Sequence, residues 1–158
     1  MYEYRVKKVI GVVDGDTIDV DIDLGFDISF YSRVRLAGID TPESRTKDKA
    51  EKVLGLEVKD RLKKLLSEAK TVVIKTEKPD STEKYGRVLG WLYIDGAEQS
   101  VNEGLIASGY AWSYMGDTKV KDFEALLRVR KTNEMRTILD DKYSRERANW
   151  EESSKTGK

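Results

Sequence analysis

The clearest pattern in the chain lies between residues 17 and 24, where Ile18, Val20, Ile22 and Leu24 alternate with Asp19, Asp21 and Asp23. Strand side chains point alternately to opposite faces, so a period of two predicts a strand with one buried face. Residues 4–13 read as a strand before it, ending in the Asp14-Gly15 turn. Residues 29–39 read as a third strand with Val34, Leu36 and Ile39 inward, broken by Thr41-Pro42. The period then changes. Over residues 48–69, Leu54, Val58, Leu62, Leu65, Leu66 and Ala69 fall on one helical face, with Lys and Glu opposite. Residues 71–76 and 88–94 return to strand character, and Asp95-Gly96 marks the turn after them. Ser100-Val101-Asn102-Glu103 has the spacing of a capping box and opens a short helix that stops at Gly109.

From about 120 to 150 a long charged helical pattern follows, with Phe123, Leu126, Leu127, Met135, Ile138 and Leu139 as its expected inner face. Residues 151–158 read as a polar, disordered tail. Five antiparallel-type strands with a helix between the third and fourth, and two helices after the barrel, predict an α+β fold around an OB-type β-barrel. The expected organisation is one domain over residues 1–150, followed by the tail.

Composition narrows the chemistry. The 158 residues contain no histidine and no cysteine. Ser-His-Asp, Cys-His, zinc-His and thiolate mechanisms are therefore excluded, which leaves carboxylates, Arg, Lys, Tyr and a borrowed metal. The 29 basic and 29 acidic residues cancel, so nucleic acid would have to be gripped by local basic patches rather than by net charge. No apolar run approaches the roughly 20 residues of a membrane span. Met1-Tyr2-Glu3-Tyr4-Arg5 has no apolar core of a signal peptide, so the expected location is cytoplasmic.

Three charged stretches fall at the ends of these strands: Asp14-Gly15-Asp16-Thr17, Arg35-Leu36-Ala37-Gly38-Ile39-Asp40-Thr41-Pro42-Glu43, and Tyr85-Gly86-Arg87. Such groups cost desolvation unless they hold a cation or meet a charged substrate. Each has an ordinary reading. Asp-Gly-Asp is a common turn, Arg35 can simply pair with Asp40, Glu43 can be a loop residue, and Arg87 can be solvated. Taken together they are less ordinary. Asp16, Asp40 and the Thr41 carbonyl are oxygen ligands for a hard cation. Glu43 beside them can activate water. Arg35 and Arg87 are two forks suited to the charge on a phosphoryl group in transfer.

These segments, with Glu83-Lys84-Tyr85-Gly86-Arg87, Val101-Asn102-Glu103-Gly104-Leu105 and Gly109-Tyr110-Ala111, resemble the signature segments of the staphylococcal nuclease (thermonuclease-like) family. The resemblance runs in order over residues 4–115, and Trp150 resembles the tryptophan closing the family's last helix. It implies an OB barrel carrying a calcium-dependent nuclease for DNA and RNA that leaves 3′-phosphate ends. Asp16 and Asp40 match the calcium carboxylates and Thr41 the backbone-carbonyl ligand, with Asp14 a neighbour behind them. Glu43 matches the general base or water-orienting residue, and Arg35 and Arg87 the pair on the scissile phosphate. Lys84 and Tyr85 match contacts to a terminal phosphate. Tyr114 matches one of two tyrosines of the base pocket, and Met115-Gly116 follows where the second would stand.

Two further departures stand out. The chain is several residues longer than the family pattern between Tyr110 and Trp150, and it lacks a net positive charge. Residues 44–52, with Arg45, Lys47, Lys49 and Lys52, read as a basic loop at the site or as an ordinary solvated loop. The expected partners are DNA and RNA, single strands preferred, with a monomer and no required protein partner or membrane. The competing reading is a non-catalytic OB module binding nucleic acid or protein, which would need neither the water-activating carboxylate nor the metal ligands.

Overall fold

The computed structural model describes residues 2–77, 86–116 and 119–156. In chain order the elements are β1 (Tyr2–Asp14), β2 (Thr17–Asp23), β3 (Ser29–Leu36), β4 (Ile39–Asp40), α1 (Lys49–Glu68), β5 (Val72–Thr76), β6 (Val88–Ile94), α2 (Val101–Ala107), β7 (Trp112–Ser113) and α3 (Phe123–Thr156). Strands β1-β2-β3-β6-β5 close into a barrel, and β4 and β7 form a separate two-stranded ribbon. Closure removes the free edges that an open sheet of this size would expose.

The alternating pattern of β2 does what its period requires: Ile18, Val20 and Ile22 are buried inside the barrel with Val34 and Leu36 from β3, Ile74 from β5 and Leu92 from β6. Helix α1 covers the barrel with Val58, Leu62 and Leu66. Asp48 caps it, its carboxylate accepting from the backbone N–H groups of Ala50 and Glu51. Lys49 and Lys52 of the expected basic loop are therefore helical, and the loop itself is shorter than the sequence reading placed it.

The register fixes the functional end of the barrel. Thr17 pairs with Arg35 and Asp19 with Arg33 across β2 and β3, so the β1–β2 turn and the end of β3 lie side by side. Three details differ from the sequence reading. The third strand stops at Leu36, turns at Gly38 with φ +76°, and restarts as β4 against β7. The β3–β6 pair is parallel, while the other barrel pairs are antiparallel.

The third difference concerns α3, which continues through Thr156, past the start of the expected tail. Of its expected inner face, Leu126 is buried and Phe123 meets Trp112 edge to face at 5.3 Å. Leu127, Met135, Ile138 and Leu139 are exposed. Among the described residues this part of α3 has nothing covering its apolar positions, so their periodicity does not become burial.

Buried polar groups brace this end. Asn102 of α2, fully enclosed, donates through Nδ2 to the carbonyls of Ala37 at 2.8 Å and Gly90 at 3.1 Å. Its Oδ1 accepts from the Leu92 N–H at 3.1 Å. One amide thus ties α2 to β6 and to the turn between β3 and β4. Gly55, in the middle of α1, lies so close to the backbone of Glu43 and Ser44 that a Cβ there would overlap both. The helix gives up about 1 kcal/mol of propensity relative to alanine and in exchange supports the Glu43 loop directly.

Candidate active site

The charged segments converge on one open cleft of about 570 Å³, bordered by Asp14, Asp16, Thr17, Arg33, Arg35, Asp40, Thr41, Glu43, Arg45, Arg87 and Lys119. Each position follows from the elements. Asp14 ends β1 and Asp16 sits in the tight turn before β2. Arg35 is one residue from the end of β3, Asp40 ends β4, and Arg87 immediately precedes β6. Thr41 to Glu43 lead from β4 over α1.

Arg35 is nearly buried and organises the centre. Its Nη1 and Nη2 donate to the carbonyls of Leu36 and Ile39, both at 2.8 Å. This side chain therefore spans the turn that separates β3 from β4. Nη2 also lies 3.4 Å from Asp16 Oδ2 and 3.9 Å from Asp40 Oδ1. The fork is fixed in place by backbone carbonyls while its charge faces both carboxylates. Asp16 is held in turn by Thr17, whose hydroxyl donates to Oδ1 at 2.9 Å. Asp14 accepts from the Gly15 N–H at 3.0 Å and shapes the turn that presents Asp16.

Asp40 sits among opposing electrostatic influences. Burial pushes its carboxyl above the ordinary range; Lys119 pulls it back, the Asp16 charge pushes it further up, and Arg35 and Lys121 pull it down. Among the described residues, its Oδ2 and the Thr41 hydroxyl are buried with no hydrogen-bond partner. An orphaned carboxylate oxygen next to a second carboxylate is an arrangement that a hard cation satisfies, because calcium takes carboxylate and carbonyl oxygens together. Among the described residues no group of three or more acidic side chains is placed to hold a metal ion alone. Two carboxylates completed by carbonyl, water and phosphate oxygens remain compatible with the flexible coordination of calcium.

Glu43 is exposed at the rim. Lys121 Nζ reaches its Oε1 at 3.6 Å and the buried Glu51 at 2.9 Å. Burial works against the Lys121 charge, but the Glu51 hydrogen bond and the charges of Glu43, Glu51 and Asp40 hold its pKa above the ordinary value. Arg33 also faces the cleft, clamped to Asp19 through two hydrogen bonds of 2.8 and 3.1 Å.

Lys84 and Tyr85 lie outside the described residues. Tyr114 does not border the cleft itself; its N–H donates to the Gly38 carbonyl at 2.9 Å, and its ring lies 5.4 Å from Lys119 Nζ. Lys119, Lys121, Glu51 and Gly55 were not anticipated. The Glu51–Lys121 contact joins positions 70 apart and leaves no local pattern to read. Arg33 was accessible in principle, since it shares a strand face with Arg35.

The sequence model of the staphylococcal nuclease homologue family matches residues 33–146 of this chain. The chain belongs to this family. The matched stretch includes Arg35, Asp40, Thr41, Glu43, Arg87 and Lys119 and starts after β2, so Asp14 and Asp16 join the site through strand register. Among relatives, the chain is 35% identical over 113 residues to the SPbeta prophage-derived endonuclease YokF of Bacillus subtilis, covering 70% of this chain and 36% of that protein. It is 33% identical over 124 residues to endonuclease YncB of the same species, covering 73% and 55%. An uncharacterised protein of Methanocaldococcus jannaschii is 29% identical over 139 residues, covering 77% and 65%. The chain therefore spans between about a third and two thirds of the length of these relatives.

Proposed function

We propose that this domain is a calcium-dependent nuclease that hydrolyses phosphodiester bonds of DNA and RNA, prefers single strands and leaves 3′-phosphate ends. The observation that carries the reading is the meeting of Asp16 and buried Asp40 around Arg35, with one Asp40 oxygen unpartnered and Glu43 and Arg87 on the same cleft. Membership of the nuclease family and the endonuclease names of two relatives support it.

Asp16, Asp40 and the Thr41 carbonyl would hold the cation, with Asp14 behind Asp16. A bound calcium ion supplies positive charge that offsets the phosphate and acidifies nearby water. Glu43 takes a proton from the attacking water, a role suited to an exposed carboxylate held at the rim by Lys121. Arg35 and Arg87 donate to the phosphoryl oxygens as negative charge grows on them, and such donors act most strongly in the transition state. Arg35 is already immobilised by two backbone carbonyls, so little is lost in orienting it. The P–O5′ bond breaks, the 5′-oxygen takes up a proton from solvent water, and the phosphate, now carrying the attacking water's oxygen, stays on the 3′ side. Lys84, Tyr85 and Tyr114 would contact the flanking phosphate and base.

The test is digestion of end-labelled single- and double-stranded DNA and RNA with calcium, with magnesium alone, and with chelator. The expected result is cleavage with calcium only, fastest on single strands, giving ends that a polymerase extends only after 3′-dephosphorylation. Magnesium demands a tighter octahedron than calcium, so equal turnover with magnesium would overturn calcium dependence. Binding without cleavage under every condition would favour a non-catalytic OB module.

A further inference from the structure

The segment leading into α3 lies against the acidic end of the cleft. Lys121 fastens it there, reaching Glu51 at 2.9 and 3.3 Å and Glu43 at 3.6 Å. Two residues earlier, Lys119 Nζ stands 3.6 Å from Asp40 Oδ1 and 5.4 Å from the Tyr114 ring centroid. The two lysines differ in kind. Lys121 is shared by two carboxylates, whereas Lys119 is about half exposed and meets one carboxylate and one ring.

Asp40 requires a positive neighbour, because a buried carboxylate without one is costly. Arg35 answers that need only partly: its Nη2 is 3.9 Å away and already donates to the Ile39 carbonyl. Among the described residues, Lys119 is the nearer of the two ion-pair partners. An ammonium on Oδ1 and a divalent cation bound through the same carboxylate repel each other at a few ångströms.

We propose that Lys119 is the built-in counter-ion of Asp40 and is displaced when a divalent cation binds, so that this residue sets the cation affinity of the site. The proposal rests on the reading of Asp16 and Asp40 as a cation site. The lysine stem is flexible, and the Tyr114 ring, 5.4 Å from the ammonium as it pairs with Asp40, still attracts the charge when it swings away from the carboxylate.

Calorimetric calcium titration of the full chain without nucleic acid tests this, using wild type, Lys119→Met, Lys119→Arg and Asp40→Asn. Lys119→Met is expected to bind calcium about tenfold more tightly, a modest gain because the lysine is partly exposed and screened. Lys119→Arg keeps the charge and should stay near wild type. Melting in chelator confirms that each variant folds, and there Lys119→Met should melt below wild type and gain more from added calcium. Lys119→Gln serves if the Met variant does not fold. Unchanged or weaker calcium binding by the charge-removing variants overturns the exchange, while loss of binding in Asp40→Asn alone leaves the cation site standing. If wild type and Asp40→Asn alike bind no calcium, the cation-site reading falls and the exchange falls with it.

Discussion

Arg87 and Arg35 present the same guanidinium group in different settings. Arg35 is locked to the Leu36 and Ile39 carbonyls, so it contributes position as well as charge. Arg87 borders the cleft just before β6 and is the better probe of phosphate contact. Arg87→Lys should lower the cleavage rate by about 10²–10³-fold, because lysine lacks the planar fork; steady-state rates at saturating calcium measure this. Asp19 provides a pH-linked test. Its hydrogen bond to Arg33 leads the causes that lower its pKa below the ordinary 3.8. The folded state therefore binds that proton less readily than the unfolded chain. The pair stabilises above pH 3.8 and loses its contribution as pH falls through the lowered value. Asp19→Asn should narrow the gap in melting temperature between pH 7 and pH 3. At this scale the sequence was informative wherever a charged residue stood at the end of an apolar strand, as with Asp16, Arg35 and Asp40. It was silent on Lys119 and Lys121, whose partners are set by packing across the fold.

Helix α1 and helix α2 act on the site through contacts that do not resemble chemistry. Glycine to alanine inside a helix ordinarily stabilises by up to about 1 kcal/mol. Gly55→Ala should do the reverse, because the added Cβ meets the Glu43–Ser44 backbone and moves the Glu43 loop. Melting temperature and cleavage rate should fall together. Gly104→Ala in α2, where only Gln99 Oε1 lies within reach at 3.7 Å, is the control expected to keep both. Asn102→Ala leaves the Ala37 carbonyl and the Leu92 N–H without this partner, while the Gly90 carbonyl keeps the Ala37 N–H at 2.8 Å. At about 1–3 kcal/mol per orphaned buried group, denaturant melts should show a large loss. Element types were legible from period alone, and the Ser100 cap formed as its spacing predicts, accepting from the Glu103 N–H. The break at Gly38 and the unpacked length of α3 were not, because an apolar position has the same spacing whether or not a neighbour covers it.

At the scale of the whole molecule, equal numbers of acidic and basic residues still allow a local grip on phosphate, because Arg35, Arg45, Arg87 and Lys119 border the same cleft as the acidic Asp14, Asp16, Asp40 and Glu43. Three or four phosphate contacts on a single strand imply a log–log salt slope of roughly −2 to −3. Fluorescent oligonucleotide titrations with Glu43→Gln, expected to bind while cutting far more slowly, should give that slope and weaker binding to duplex. The barrel was legible because its strands alternate. The parallel β3–β6 closure was not, since it depends on which strands meet after the chain has crossed over α1. The calcium-dependent hydrolysis proposed for this cleft requires both the cation and the Glu43 carboxylate. It is tested most directly by the single-turnover cleavage rate of a 5′-labelled single-stranded oligonucleotide across a calcium titration, for wild type and Glu43→Gln. The wild-type rate should saturate with calcium, and the variant should be slower by about 10²–10⁴-fold with the same calcium midpoint. A rate independent of calcium, or equal rates for the two proteins, would contradict it.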